Sequence, residues 1–378
     1  MRVADEVAPA LPIRDANTAA TMEFSLFRKP KTVVGLDIGS SAVKAIELKS
    51  TGKGGFKVVA YAAEPVPPDT IVDGAIVDGV AVADAIRRLF DTKRFKAKDV
   101  VTSLSGNAVI VKKIALPVMT EAELDESIHW EAEQYIPFDI QDVNLDYQLL
   151  DAVPGDGGKQ TMDVLLVAAK RDKIAEYTSV IGQSGRSAVV VDIDAFAVQN
   201  CFEVNYGLDP GITVLLNAGA SGINVNIVAG DQSLFTRDIS VGGNAYTDAV
   251  QREFGLSFDA AERAKKGQPV DGVPFDDVRA VLRTTSEAVV LEIQKTFDFF
   301  KATTAQDRID RVVLCGGASR VEGLAELLAE RFGAPVEFLD PFKAVQLDAK
   351  RLGLDEAADI AQTAAVAVGL ALRTAGDR

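Results

Sequence analysis

The apolar and polar residues change period several times along this chain. An apolar run, Thr32-Val33-Val34-Gly35-Leu36, meets the polar turn Asp37-Ile38-Gly39-Ser40-Ser41, and Ala42 to Lys49 leads back. That pattern predicts a strand, a tight turn and a strand, bent at Asp-x-Gly. After the glycine turn Gly52-Lys53-Gly54-Gly55, Phe56 to Ala62 reads as a third strand. The period becomes helical over Val80 to Phe90, with Ile86, Leu89 and Phe90 facing inward. A basic run, Lys93-Arg94-Phe95-Lys96-Ala97-Lys98, reads as solvated surface before the strand Val100 to Ser105.

The texture then changes. Val109 to Leu116 is a predicted strand stopped by Pro117, and Thr120-Glu121-Ala122-Glu123 is a capping box that opens a helix to about Ile136. Val143 to Leu150 and Met162 to Ala169 are further strands, so strand, helix, strand, strand make a small inserted α+β subdomain. From Val189 to Asp194 the buried-strand texture returns, with a helix through Phe196 to Phe202. The opening pattern then recurs. Thr213 to Ser221 gives a strand and an Asx-x-Gly turn at Asn217-Ala218-Gly219, and Ile223, Val225 and Ile227 alternate with Asn224 and Asn226. Asn217 stands 180 positions after Asp37, so the chain reads as two similar halves. The second half continues with strand Leu234 to Ile239, Gly242-Gly243, and helices at Ala245 to Phe254, Phe258 to Lys266 and Val278 to Lys301. Strand Arg311 to Cys315, the turn Gly316-Gly317-Ala318, a helix over Val321 to Phe332 and a small-residue helix over Ile360 to Leu372 complete it.

With 378 residues, 48% hydrophobic and 25% charged, the chain can build two or three domains and is not wholly disordered. A net charge of −15 argues against a nucleic-acid partner and against direct attraction to an anionic bilayer. One histidine, His129, and two cysteines, Cys201 and Cys315, leave little material for a zinc site, a Ser-His-Asp triad or a disulfide framework. His129 reads as a structural imidazole beside Trp130, and the cysteines, set among apolar residues, read as buried reduced thiols. Residues 1–30 lack a continuous apolar stretch and read as a disordered arm. Met22, directly before the first confident strand, is expected to be the physiological start, which N-terminal sequencing of the native protein tests. No stretch offers the ~20 apolar residues of a spanning helix.

Two hairpins bent at Asx-x-Gly and facing each other would present backbone N–H groups to a polyphosphate between them, because glycine permits close approach and positive φ. Asp37 would stand near the phosphates, suited to holding a magnesium water. Gly316-Gly317-Ala318 ends a strand where the chain can press flat against a base or ribose. The chain has neither a Walker-type phosphate loop nor a dinucleotide-binding glycine fingerprint after its first strand, so the P-loop and Rossmann readings fail.

The ordered set Leu36-Asp37-Ile38-Gly39-Ser40-Ser41, Asn217-Ala218-Gly219, Gly242-Gly243, Ala261-Glu262-Arg263-Ala264-Lys265-Lys266 and Cys315-Gly316-Gly317-Ala318-Ser319 resembles the phosphate, connecting and adenosine motifs of the actin-like ATPase superfamily. Within it, the chain from about Phe24 resembles the PilM family, the actin-like cytoplasmic proteins of type IV pilus assembly. The narrower signature lies in the insert: Lys112-Lys113-Ile114-Ala115-Leu116-Pro117, then Glu126-Ser127-Ile128-His129-Trp130-Glu131-Ala132-Glu133-Gln134-Tyr135-Ile136-Pro137-Phe138, then Asp163-Val164-Leu165-Leu166-Val167-Ala168-Ala169-Lys170.

The resemblance implies an α/β, actin-like (duplicated ribonuclease-H-like) two-lobe ATPase fold with an inserted strand-helix-strand-strand subdomain. Residues 31–107 and 187–212 would form the first lobe, 108–186 the partner-binding insert, and 213–378 the second lobe, with residues from about 345 returning to the first. It also implies Mg-ATP between the lobes and the N-terminal cytoplasmic tail of PilN, a bitopic inner-membrane protein, in a groove beside the insert. The pilus inner-membrane platform and motor ATPases would follow as partners. The protein would be cytoplasmic, peripheral to the inner membrane through protein partners, and self-association stays open. Carried onto this sequence, Asp37, Gly39, Ser40, Ser41 and Lys44 would face phosphates and magnesium, and Gly219, Ala220, Gly242, Gly243 and Asn244 would close over them. Glu262, Lys265 and Lys266 would contact ribose and adenine, with Gly316, Gly317 and Ala318 beneath the base. Asn217 departs from the superfamily's aspartate. An amide is no base and a poorer cation ligand, which implies slow or absent hydrolysis.

The insert helix carries Glu121, Glu123, Asp125, Glu126, Glu131 and Glu133, read either as a solvated acidic face or as a rim that steers a basic tail. Trp130, Glu131, Tyr135 and Phe138 are candidate partner contacts, and the three aromatics read equally as subdomain core. Two alternatives share the fold: a polymer former like the division protein FtsA, and a small-molecule kinase, for which no catalytic carboxylate motif is visible. A heat-shock-type chaperone would need a peptide-binding domain after the lobes, and this sequence ends at Arg378.

Overall fold

The computed structural model describes residues 32–52, 54–92, 95–154, 160–304, 308–355 and 357–376. The expected arm with Met22, and Lys93 and Arg94 of the basic run, lie outside the described residues. β1 (Val34–Ile38), β2 (Ala42–Gly52) and β3 (Gly55–Pro65) form the antiparallel meander that the alternation and glycine turns require. A short hairpin, β4 (Ile71–Val72) and β5 (Ala75–Ile76), leads to α1 (Gly79–Thr92), and β6 (Asp99–Leu104) pairs parallel with β1.

The chain turns through Gly106–Ala108 into the insert: β7 (Val109–Pro117), α2 (Glu121–Ala132), β8 (Val143–Pro154) and β9 (Gln160–Lys170), in the sheet order β7-β9-β8. Thr120 and Glu123 close the expected capping box. Strand alternation gives this sheet two buried faces. Leu116, Val164 and Leu166 meet Leu124 and Ile128 of α2, while Leu165 and Val167 meet Ile193 and Phe196 of the first lobe.

α3 (Arg171–Gln183), β10 (Ser187–Ile193) and α4 (Asp194–Tyr206) follow. The expected insert boundary needs correction here. Ile174, Tyr177 and Ile181 of α3 share a core with Leu36, Ile86 and Leu89, so residues 171–186 build the first lobe. Their i, i+3, i+7 spacing is one helical face.

The second half repeats the plan. β11 (Thr213–Ala218), β12 (Ile223–Ala229) and β13 (Gln232–Ile239) form a meander, followed by α5 (Gly243–Phe254), α6 (Phe258–Lys265) and α7 (Phe275–Thr303). β14 (Arg311–Cys315), α8 (Leu324–Phe332) and β15 (Val336–Phe338) complete the lobe, and α9 (Ala349–Leu352), α10 (Ala358–Ala361) and α11 (Ala365–Ala371) return toward the first. The strand orders are β10-β6-β1-β2-β3 and β15-β14-β11-β12-β13, each an antiparallel meander flanked by two parallel strands. The two halves therefore share one topology, as the repeated Asx-x-Gly hairpin predicts.

α4 and α11 lie between the sheets. One core joins Ile46 and Val101, Phe202 of α4, Val366 and Leu370 of α11, and Leu215 and Val313 of the second sheet. Small residues permit this. A Cβ on Gly369 would lie 1.7 Å from the Ala197 carbonyl oxygen of α4. Two expected helices start or divide elsewhere. α8 begins at Leu324 because Gly323 is left-handed, with φ +83. The stretch from Ile360 splits into α10 and α11 where the Gly316 N–H donates to the Gln362 carbonyl at 2.6 Å. No described helix is long and apolar enough to cross a membrane.

Candidate functional site

The β1–β2 and β11–β12 turns are built alike. The Gly39 N–H donates to the Ala42 carbonyl at 3.2 Å, and the Gly219 N–H donates to the Gly222 carbonyl at 2.8 Å. The turns face each other closely enough for Ser40 Oγ to donate to Ser221 Oγ at 3.0 Å. Between them opens a cleft of about 1940 Å³. Every residue expected from the phosphate and adenosine motifs, from Asp37 to Ala318, lines this one cleft.

Asp37, next to last in β1, holds Lys44 of β2 in an ion pair of 2.9 Å, both side chains mostly buried. On the second lobe, the Gly243 and Asn244 N–H groups donate to the Gly219 and Ala220 carbonyls, so the start of α5 is tied to the turn. Those two N–H groups are thus engaged within the lobe. Gly242 makes the contact possible, since a Cβ there would lie 2.7 Å from the carbonyl oxygens of Gly219 and Ala220. Lys265 Nζ reaches the Gly243 carbonyl at 3.1 Å and Thr247 Oγ1 at 2.8 Å, and pairs with Glu262, whose other oxygen is 3.1 Å from Lys266 Nζ. Burial opposes both charges. For Glu262 the hydrogen bonds from Lys265 and Thr247 outweigh it and the pKa falls, while for Lys265 burial prevails and the pKa also falls. Gly316, at φ +90, sits where a Cβ would strike the Ala218 carbonyl at 2.2 Å, whereas the nearest atom to a Cβ on Gly317 is the Thr363 methyl at 3.9 Å.

Asn217 donates through Nδ2 to Asn224 Oδ1 at 2.9 Å. Asn224 donates in turn to Asp238 Oδ1 at 2.7 Å. Asn224, Asp238 and Asp194 are cleft residues that sequence reasoning missed. Asp194 follows β10 on the first turn of α4 and accepts from Ser103 Oγ at 2.5 Å. Burial first, and the Asp37 charge second, push its carboxyl up to about 7 against hydrogen bonds from Ser103 and Ser105. An unfolded aspartate titrates near ~3.9, so the folded form binds the extra proton and stability declines as pH rises from about 4 to about 7. Melting temperature is expected to fall between about pH 4 and about pH 7. Asp194→Asn should flatten its share of that slope, leaving the shares of Glu203, also pushed up to about 7, and Asp238. An unchanged slope in the variant would show that Asp194 titrates as in water.

On the insert, Trp130 is 71% exposed. Tyr135 and Phe138 are half-buried against the subdomain core, with Lys112 Nζ at 5.3 Å and Lys170 Nζ at 4.3 Å from their ring centres. Glu131 is half-buried and His129 exposed on α2. Cys201 and Cys315 are buried and free.

The sequence matches the family described as Type IV pilus assembly protein PilM over residues 35–375. The chain belongs to the PilM family. A solved PilM-PilN type IV pilus biogenesis complex contains a chain 30% identical to this one, with a TM-score of 0.79 and coverage of 91% of this chain and 99% of that one. The fold is shared more widely. The ethanolamine utilization protein EutJ from Carboxydothermus hydrogenoformans matches at 15% identity and a TM-score of 0.54, covering 91% of this chain and 90% of that one. MreB 5 of Spiroplasma citri, solved bound to AMPPNP, matches at 14% identity and a TM-score of 0.50, covering 90% and 95%. PilM membership makes the chain an actin-like protein of type IV pilus assembly and favours that role over the FtsA-like and kinase alternatives.

Proposed function

We propose that this PilM-family chain is a nucleotide-held adaptor of the pilus inner-membrane platform. It binds Mg-ATP between its lobes and the cytoplasmic N-terminal tail of PilN on its insert, and it hydrolyses ATP slowly or not at all. The observation that carries the reading is the pair of like turns at Gly39 and Gly219, facing each other across one cleft and bridged by Ser40 and Ser221. Each turn closes on its own carbonyl, and the tip hydroxyls of Ser40, Ser41 and Ser221 would turn to phosphate oxygens, Ser40 giving up its bond to Ser221. Lys44 would exchange Asp37 for phosphate, freeing the carboxylate for a magnesium water. Among the described residues no cluster of His, Cys, Asp and Glu could cage a metal by itself, so the ion would complete its shell with phosphate oxygens and water. Glu262, Lys265 and Lys266 would meet the ribose and adenine, with Gly316, Gly317 and Ala318 below the base. When bound, Mg-ATP would supply an anhydride and charge neutralisation. Asn217 offers no base to use them.

The family relative was solved with PilN, and the insert offers Trp130 on an acidic helix to such a partner. Localisation at the inner membrane would follow from that contact, and motor ATPases and the rest of the platform would join through it. One experiment tests both ligands. Purified protein is loaded with Mg-ATP, freed of excess nucleotide, and the retained nucleotide is chromatographed after hours. A peptide of the PilN tail is then titrated while the emission of Trp130, the single tryptophan, is followed. Intact bound ATP and a saturable blue shift are expected. Retained ADP would make the protein a cycling ATPase, and no retained nucleotide would overturn the cleft assignment. A flat titration would remove Trp130 from the partner surface.

A further inference from the structure

The insert is rooted at Ser105 and Gly106, where the chain leaves β6 and turns into β7. Gly106 is left-handed, at φ +77, and its N–H donates to Asp238 of the second lobe. The β4–β5 turn lies against the same root. A Cβ on Gly74 would come 3.2 Å from the Ser105 carbonyl, and one on Gly106 would come 3.5 Å from the Asp73 carbonyl. Asp73, at φ +48, is itself in a conformation that few residues other than glycine adopt. The root is therefore gripped by a strained first-lobe turn on one flank and by a second-lobe carboxylate on the other.

Asp238 also ends a line of side chains. Asn217, Asn224 and Asp238 are cross-strand partners on β11, β12 and β13, and their amides and carboxylate are hydrogen-bonded in sequence across the sheet. The line has a definite polarity. Asn224 donates its NH2 to Asp238 and turns its oxygen toward position 217, which then donates. Asparagine at 217 donates, and aspartate would set two acceptors against each other. The departure from the superfamily's aspartate thus belongs to a chain of contacts that leads out of the cleft. β13, the outer strand of that sheet, also lies against β7.

We propose that the Asn217–Asn224–Asp238 ladder couples occupancy of the second phosphate turn to the seating of the inserted subdomain, with Asp238 holding the insert's root as a positioning residue. The inference rests on the nucleotide reading of the cleft. A ligand that draws the Asn217 amide changes what Asn224 accepts, and therefore how Asp238 divides its oxygens between Asn224 and Gly106. The partner surface on α2 would move with the root.

Amide hydrogen exchange over residues 106–117 tests this, at saturating Mg-ATP and without nucleotide, with bound nucleotide quantified in the same samples. In the wild type, ATP is expected to slow exchange of these amides by about tenfold. Asp238→Ala removes both contacts of the ladder's end and should reduce that response to less than about twofold. Asn224→Ala leaves the Asp238–Gly106 bond in place and cuts only the link to the cleft, so it should silence the response without loosening the nucleotide-free root. Nucleotide bound to the wild type with no change at residues 106–117 would overturn the ladder alone, as would a full response in either variant. A wild type that binds no nucleotide would overturn the cleft reading and the ladder with it.

Discussion

Alanine at position 369 is expected to destabilise the protein by about 3 kcal/mol, at the upper end of what one added methyl costs by overpacking. The new Cβ would lie 1.7 Å from the Ala197 carbonyl oxygen and 2.5 Å from its carbon. Those are backbone atoms of α4, so no side-chain rotation relieves the clash, and the two helices must separate. They cannot do so cheaply, because all seven residues of α11 are buried and its other side rests on β1. There a Cβ on Gly35 would lie 2.1 Å from the Ala367 carbonyl. The loss should appear as a lowered urea midpoint with an unchanged slope. Gly182→Ala is the control. Gly182 lies within α3, and a Cβ there would meet nothing within 4 Å, so the helix gain of roughly 0.5–1 kcal/mol should emerge unopposed. If Gly369→Ala melts with the wild type, the two helices do not cross as closely as described.

The repeated hairpins were legible because their information is local. Asp37-Ile38-Gly39 and Asn217-Ala218-Gly219 each carry apolar run, polar bend and glycine in a few consecutive positions, and the shared strand order follows from two such units. The capping box at Thr120 was legible for the same reason. What escaped depends on contacts between distant segments. Gly369 in an alanine-rich helix looks indifferent until α4 is laid across it. Asp194 reads as one polar residue after a strand, and only burial beside Asp37 raises its carboxyl toward neutrality. The α3 face, Ile174, Tyr177 and Ile181, is periodic enough to see, but its attachment to the first lobe depends on α1 and β10. In the insert, Tyr135 and Phe138 could not be told from free anchors until Lys112 and Lys170 were found against their rings. Asn217 was visible as a departure. Its reason lay in Asn224 and Asp238, on the next two strands of the sheet.

Arg373→Met is expected to cost about 3–5 kcal/mol, because it removes one member of a buried ion pair. Arg373 follows α11, and its Nε lies 3.6 Å from Asp192 Oδ2 on β10, both side chains almost wholly buried. The other Asp192 oxygen accepts the Ile193 N–H at 2.8 Å. The pair pins the end of the chain to the strand that leads into α4, beneath the same helix layer that Gly369 keeps tight. Methionine restores the volume and leaves the carboxylate without its guanidinium, so packing loss alone cannot account for the cost. A second variant separates charge from shape. Asp192→Asn in the Arg373→Met background should recover most of the stability, because replacing both charges removes the desolvation that neither can offset alone. No recovery in the double variant would mean that Arg373 acts through its packing and that the buried pair contributes nothing specific.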